Sequence, residues 1–368
     1  MARKSTRRDF LRGKSAADAA ADAVGDALPG KPSQGPAGRR ADDAYVIRVT
    51  REAMACQFEV RLNAGQYDGG TSIALDALDL VDELEDQLSV FRETSEVSQI
   101  NRAAAGQPVE VEPGLFGLLE LAARVHRETD GAFDITSTPL WEAWGFARRQ
   151  GAVPDERQLA EALRRAGSQW IELDARHRTV RFRKPGVQIN LGAVGKGYAL
   201  DRCAERLVEH GIHDFLIHGG QSSVLASGRQ RSPGDEAAGD HLPPWWVGVR
   251  HPLRGDRRLA EIRLDGRALA TSGSHAQSFT HKGRRYSHIL DPRTGQPAEG
   301  VLSATAIAPT ATMADALSTA FFVMGPAGTL AYCQGRPELA AVLVCPVRHS
   351  GGIEIKTTGL ADEDLVLQ

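Results

Sequence analysis

"INLGAVGKGYALD", residues 189 to 201, is the stretch on which the reading of this chain turns. It reads as a strand entering a glycine loop that opens a helix. Glycines at 192, 195 and 197 let backbone N–H groups approach an anion closely. The helix N-terminus adds partial positive charge there, and Lys196 adds a full one. A phosphate or pyrophosphate is the natural guest, although an ordinary tight turn has the same glycines. Neither G-x-x-x-x-G-K-[ST] nor G-x-G-x-x-G is present, so the two common nucleotide fingerprints do not apply. The helix carries Leu200, Cys203, Leu207 and Val208 on one side and stops at Gly211.

Outward from this loop, strands and helices mix without strict alternation. "YVIRVTREAMACQFEVRL" reads as one or two strands. "TSIALDALDLVDELEDQLSVF" is helical, capped by Thr71 or Ser72, and "FRETSEVSQINRAAA" is a polar loop or short helix. "GLFGLLELAARVHRETDG" and "ERQLAEALRRAG" are amphipathic helices ending at Gly131 and Gly167. "WIELDARHRTVRFRKPGVQINL" reads as strands. Downstream, "DFLIHGGQSSVLASG" is strand, glycine pair, strand. "WWVGVRHP", "LAEIRLDGRALATSG" and "LSATAIAPTA" are strands, "MADALSTAFFVMG" is a helix, and "LAAVLVCPV" is the last strand. The pattern predicts an α+β fold: one large domain with mostly antiparallel sheet and flanking helices.

The chain has 368 residues, 42% of them hydrophobic, enough for a sizeable core. A net charge of -3 excludes the global basic excess expected of a nucleic-acid binder. Arginine pairs at 7–8 and 284–285 are local. Cys56, Cys203, Cys333 and Cys345 show no C-x-x-C spacing and sit among apolar neighbours, so buried free thiols are expected. No stretch approaches the ~18 consecutive apolar residues of a transmembrane span. "STRRDFLRG" (5–13) has the twin-arginine export pattern, but Lys14, Asp18, Asp22 and Asp26 interrupt what should be an apolar run. Export to the cell envelope and cytoplasmic residence therefore both stay open. Residues 1–43 form a leader and linker, and 44–368 the folded domain.

Three further segments could carry chemistry. In "TATMADALSTAFF" (310–322), Thr310 or Thr312 can cap a helix. Asp315 and Thr319 share a face of it, as a carboxylate and hydroxyl able to hold Mg²⁺. An acid in a first helical turn also serves the helix dipole. In "YSHILDPRTGQP" (286–297), Asp291-Pro292 and Gly295 make a turn, and Tyr286, His288 and Leu290 share a strand face. His288 is either core filler or a proton carrier near neutral pH. In "GAFDITSTPLW" (131–141), Phe133, Leu140 and Trp141 beside Asp134 and Thr136 suit a flat heteroaromatic ligand or a core equally.

In this order the segments resemble the ApbE family of FAD:protein FMN transferases. The likeness runs over nearly all of the chain after about residue 45. "SVFRETSEVSQIN" is similar to S-x-x-SE-[IV]-S-x-[LI]-N, and "DGAFDITSTPLWEAWGF" to DGAFDIT…PL…LWGF. "NLGAVGKGYALDR" is similar to DLGGIAKGYAVDR, and "IHGGQ" to NAGGD. "ATSG", "YSHILDPRTGQPAE" and "ADALSTAFFVMG" are similar to ATSG, HIIDPRTGxPA and ADALATALFVLG. The resemblance implies an enzyme that takes FAD and Mg²⁺, transfers FMN to a threonine or serine hydroxyl of an acceptor protein, and releases AMP. It implies Mg²⁺ at the carbonyl of Ala193 and the side chains of Asp315 and Thr319. It implies FAD bordered by Met54, Ala132, Phe133, Asp134, Asn190, Lys196 and Ile289, with His288 catalytic. An FAD pyrophosphatase or a non-catalytic flavin binder is the alternative. Two departures stand out: Asn190 and Gln221 replace family acids, which keeps hydrogen bonding and loses charge.

Overall fold

A computed structural model describes residues 46–231, 242–274, 277–347 and 351–368. The leader and linker expected over 1–43, with their arginine pair, lie outside the described residues. In chain order the elements are β1 (Val46–Ala53), β2 (Cys56–Asn63), α1 (Gly70–Leu88), α2 (Glu96–Ala103), β3 (Val109–Glu110), α3 (Pro113–Glu128), α4 (Thr138–Ala143) and α5 (Glu156–Arg165). Then come β4 (Ile171–Asp174), β5 (Thr179–Phe182), α6 (Gly195–Glu209), β6 (Phe215–Gly219), β7 (Ser223–Ser227), β8 (Trp245–Arg250), β9 (Arg258–Leu264) and β10 (Arg267–Gly273). Last are β11 (Ser278–His281), β12 (Arg284–Ser287), β13 (Ser303–Ala308), α7 (Ala311–Cys333), β14 (Ala340–Pro346), β15 (Ile353–Thr358) and β16 (Leu365–Leu367).

The fold is α+β. An eight-stranded sheet runs β1-β2-β6-β7-β10-β13-β14-β15, and each neighbouring pair in it is antiparallel. Period-two alternation divides its residues between two cores. On β13, Ala304, Ala306 and Ala308 face the core shared with α1, α6 and α7, and Ile307 faces the opposite one. Alanine is a poor strand former, but here it is matched by Ala314, Ala316 and Ala320 of α7, so the helix can lie close on the sheet. The other face packs against the small sheet β16-β9-β8 through Trp245, Val247 and Ile262. A third core, beneath α4 and α5, gathers Leu140, Trp144, Phe146 and Leu290, with Phe279 and Tyr286 of the β11–β12 hairpin against it.

Several local expectations need correction. No strand precedes the glycine loop. Residues 187–191 form no regular element, and Asn101 takes the place of a neighbouring strand: its Nδ2 donates to Ile189 O (2.9 Å) and its Oδ1 accepts from Ile189 N (2.8 Å). Neither Thr71 nor Ser72 caps α1, because left-handed Gly69 occupies that position. Val208 is exposed, and the buried stripe of α6 runs through Leu200, Cys203, Ala204 and Leu207. The helix read as ending at Gly325 resumes at Pro326 after a break in which Gly325 has φ 68°. Two strands, β15 and β16, follow the one expected to be last.

All four cysteines are free and buried. One helix among the described residues, α7, is long and apolar enough to cross a membrane by length and composition, with mean hydropathy 1.3. Half of that window is buried, and the helix packs over β10 and β13 as a core element.

Candidate active site

The site is built where α6 and α7 begin side by side. Gly197 makes this possible: a methyl carbon there would stand 2.5 Å from the carbonyl carbon of Ala311 and 2.8 Å from Thr312 N. Asp201, one turn on, accepts from Ala311 N (2.7 Å) and Thr312 N (2.8 Å) and from the Thr312 hydroxyl. Thr310 completes the cap by accepting from Met313 N. Burial pushes the Asp201 carboxyl upward, against the pull of its bonds to Thr312 and Ala311.

The clamp sets Asp315 against the other helix. Its Oδ2 accepts from Gly197 N (2.7 Å) and its Oδ1 from Ser223 Oγ (2.6 Å). One turn later, Thr319 Oγ1 lies 3.2 Å from Ser272 Oγ, which also meets Ser318 Oγ at 2.9 Å. Asp315 is buried and Thr319 partly exposed. A carboxylate oxygen has two lone-pair directions, so each Asp315 oxygen keeps one after these bonds. Joined by the carbonyl of half-buried Ala193, these atoms would make an all-oxygen donor set of the kind that suits Mg²⁺. No group of three His, Cys, Asp or Glu residues able to hold a metal occurs among the described residues. A site for Mg²⁺ with one carboxylate would not produce such a cluster, because the ion keeps waters and substrate phosphates in its shell.

Lys196 stands at the first turn of α6. Its Cδ lies 3.7 Å from the Cβ position of Gly220, beside the sulfur of Cys56. Burial pushes the Cys56 thiol up to about 11; the Lys196 charge opposes this, and Glu52, Asp315 and Glu85 add to it. The thiol therefore stays protonated at neutral pH. The β1–β2 turn beside it holds Met54 (φ 49°) and Ala55 (φ 57°), both left-handed without being glycine. Such a turn normally takes Asn-Gly, so this one carries strain. Glu85 of α1 holds it: Oε2 accepts from Met54 N (2.6 Å), and Oε1 pairs with Arg92 at 3.1 Å. The Arg92 loop also presents Phe91, 81% exposed.

His288 follows β12 directly. Its backbone N (3.1 Å) and its Nδ1 (2.9 Å) both meet the carbonyl of Gln277. A carbonyl can only accept, so Nδ1 carries the hydrogen and Nε2 is left with the lone pair. Trp141 Nε1 donates to His288 O (2.8 Å), and the Trp141 and Phe146 rings approach edge-on at 6.0 and 6.5 Å. Burial lowers the imidazole pKa to about 4; the Lys196 charge pushes the same way and the Gln277 carbonyl opposes it. His288 is therefore a neutral imidazole at pH 7, partly exposed. The turn after it is closed by Gly295 (φ 70°), where any side chain would meet Leu159 Cδ1 at 2.7 Å.

The loop at 131–137 joins these parts, but its side chains face inward. Ile135 O accepts from Asn190 N (2.7 Å), and Gly131 packs on Arg293. The Phe133 ring and Ala132 are buried in the protein interior rather than offering a planar surface, and Leu140 is buried too. Asp134 Oδ1 accepts from Thr136 N and Oγ1 (2.8 and 2.7 Å) and Ser168 Oγ (2.7 Å), and Oδ2 accepts from Ser168 N (2.9 Å) and faces His126 Nδ1 at 3.3 Å, so both oxygens are engaged within the protein. Ile289 is buried next to His288. Asn190 Oδ1 accepts from Gly192 N (2.9 Å), so the amide shapes the glycine loop as an aspartate would. Gln221 is left-handed (φ 58°) beyond Gly220. Sequence reasoning missed Ser223, Ser272, Glu85 and the Gln277 carbonyl. The partners of Ser223, Ser272 and Glu85 lie 92, 47 and 31 positions away, whereas Gln277 faces His288 across the β11–β12 hairpin and Ser272 sits in the quoted ATSG stretch, so those two had a signal.

An antiparallel α+β frame brings a lysine-bearing helix N-terminus, a carboxylate–hydroxyl pair and a neutral histidine into one region, an arrangement suited to an anionic, phosphate-bearing substrate. The ApbE family model matches residues 54–343, and this chain belongs to that family. It is 33% identical to a FAD:protein FMN transferase of Treponema pallidum over 284 residues, 74% of this chain and 78% of that protein. It is 28% identical to the Haemophilus influenzae protein of the same name over 326 residues, 86% and 90% of the two chains. Among solved structures, the ApbE protein of Thermotoga maritima superposes with a TM-score of 0.72 at 32% identity, covering 84% of this chain and 96% of its own. The apo flavinyl transferase ApbE of Pseudomonas stutzeri gives 0.73 at 28% identity, covering 85% and 94%.

Proposed function

We propose that this chain transfers FMN from FAD to a threonine or serine hydroxyl of an acceptor protein and releases AMP. The observation that carries the reading is His288: neutral, locked in one tautomer by the Gln277 carbonyl, and standing in the field of Lys196. Lys196 and the α6 N-terminus bind the diphosphate. Ala193, Asp315 and Thr319 would hold Mg²⁺, which supplies charge neutralisation and alignment of the phosphates for in-line attack.

His288 Nε2 accepts the hydroxyl proton as the acceptor oxygen bonds to the FMN phosphorus. The bond from that phosphorus to the bridging oxygen breaks, and the electron pair leaves on AMP. A diphosphate bound at Lys196 would offset the smaller of the two influences that depress His288, burial being the larger. Met54, Ile289 and the Asn190 loop border the FAD. Ala132, Phe133 and Asp134 support that border from within.

The test is purified protein with FAD, Mg²⁺ and a candidate acceptor, read by mass spectrometry for the FMN adduct and by AMP release. AMP and free FMN without any adduct would instead identify a pyrophosphatase. Binding of FAD with no AMP release under any condition would identify a non-catalytic flavin binder.

A further inference from the structure

The loop at 147–151 and the β11–β12 hairpin carry Arg148, Arg149, Lys282, Arg284 and Arg285 and contain no aspartate or glutamate. All five cations are exposed, on a chain whose overall charge is negative. The two segments are packed together. The Cβ position of Gly151 lies 2.5 Å from Phe279 Cγ, and the Phe146 and Phe279 rings are 5.4 Å apart. Gln277 Nε2 donates to Phe146 O (3.0 Å), and the Gln277 carbonyl holds His288. The basic surface and the imidazole thus stand on one foundation. His288 lies four residues beyond Arg284, about 13 Å along an extended strand at ~3.3 Å per residue, and Lys282 stands further out at the turn.

Glu299 pairs with Arg284, and Arg285 uses Nε on Ser278 Oγ (2.9 Å) and its other end on Ser274 O (3.2 Å). Lys282 and Arg148 form no ion pair among the described residues. Two cations on this rim, Lys282 and Arg148, are therefore not balanced by an ion pair, and neither belongs to the glycine loop that carries Lys196. We propose that this rim docks the acceptor protein through an acidic segment flanking its target hydroxyl. The inference rests on the FMN-transfer reading and names the chemistry of its partner. Concentrated single-sign charge beside a site raises encounter rates 10- to 10³-fold and weakens with salt.

The experiment uses the full chain with FAD and Mg²⁺, the variants Arg148→Glu and Lys282→Glu, singly and combined, and two labelled peptides of equal length. Each peptide has one threonine, flanked by glutamates in one and by lysines in the other. Binding is followed by fluorescence anisotropy at low and high salt, with AMP release from FAD measured in parallel. The glutamate peptide should bind about 10-fold or more tightly than the lysine peptide at low salt. The combined variant should lose that preference while FAD affinity and AMP release hold. Equal binding of the two peptides, or a preference that survives both reversals, overturns the docking proposal. So does binding to phosphatidylserine vesicles without a preference for the glutamate peptide. If wild type releases AMP in any of those cases, only the docking inference falls; if wild type releases none, the transfer reading falls.

Discussion

Replacing Gly197 with alanine is the sharpest test of how the site is held. The added carbon would stand 2.5 Å from the Ala311 carbonyl carbon, whereas ordinary contact begins at 3.4 Å. The obstacle is backbone, so α6 and α7 must part by about 1 Å at their N-termini. Overpacking of this kind costs about 1–3 kcal/mol. The displacement also stretches the bond from Gly197 N to Asp315, now 2.7 Å, beyond useful length. A misplacement of about 1 Å among reacting groups costs on the order of 10²-fold in rate. Gly195 supplies the control. No atom lies within 4 Å of its Cβ position, and its φ is not left-handed, so alanine fits and should stabilise the helix by about 0.5–1 kcal/mol. Thermal unfolding and AMP release with Mg²⁺ titration should be run on both variants. Gly197→Ala should unfold earlier and lose Mg²⁺ activation, and Gly195→Ala should do neither. A Gly197→Ala protein with unchanged stability and Mg²⁺ response would show that the close helix contact does not set the site.

His288→Ala should lower FMN transfer by about 10²-fold or more with FAD affinity retained; a destabilised variant with normal turnover per folded molecule would make the residue a packing group. Because the folded pKa is lowered to about 4 from 6.5, the unfolded chain takes up the proton first. Stability linked to His288 is thus fully present above pH 6.5 and is lost as pH falls toward 4, a dependence the alanine variant should lack in acid titrations followed by circular dichroism. Asp315→Ala should abolish Mg²⁺-dependent AMP release in a folded protein, and retained Mg²⁺ activation would remove Asp315 from the metal. Asn190→Asp combined with Gln221→Asp keeps the Asn190 turn and adds two negative charges, one in the glycine loop and one beyond Gly220; we expect lower Mg²⁺ half-activation and faster AMP release, and an unchanged Mg²⁺ titration would show the amides to be neutral replacements.

The sequence made the α6 and α7 helices and the Asp315–Thr319 face legible because helical period and capping residues are local signals. The turn after His288 was legible for the same reason, through Asp291-Pro292 and Gly295. What stayed hidden depends on residues that meet only after folding. Asp134 sits in a motif that suggests a ligand, yet Ser168, more than thirty positions away, claims its carboxylate. The strand expected before the glycine loop fails because a single side chain, Asn101, supplies the bonds a neighbouring strand would have made. The depressed pKa of His288 is set by burial and by Lys196, neither visible from "YSHILDPRTGQP".

The break in α7 at Gly325 divides that helix into two levers. The first is clamped at its start by Asp201 and bears Asp315 and Thr319. At the joint, Thr329 Oγ1 donates to Gly325 O (2.8 Å) and stands 3.4 Å from Phe321 O, which ties the two segments across the break. A tilt imposed on the outer lever, where Leu330 is exposed, can be taken up in the φ and ψ of Gly325 without turning the face that carries Asp315 and Thr319. Substitutions at exposed Leu330 should therefore leave the inner segment aligned with α6, whereas Thr329, Tyr332 and Cys333 of the same outer segment are buried and hold it in place.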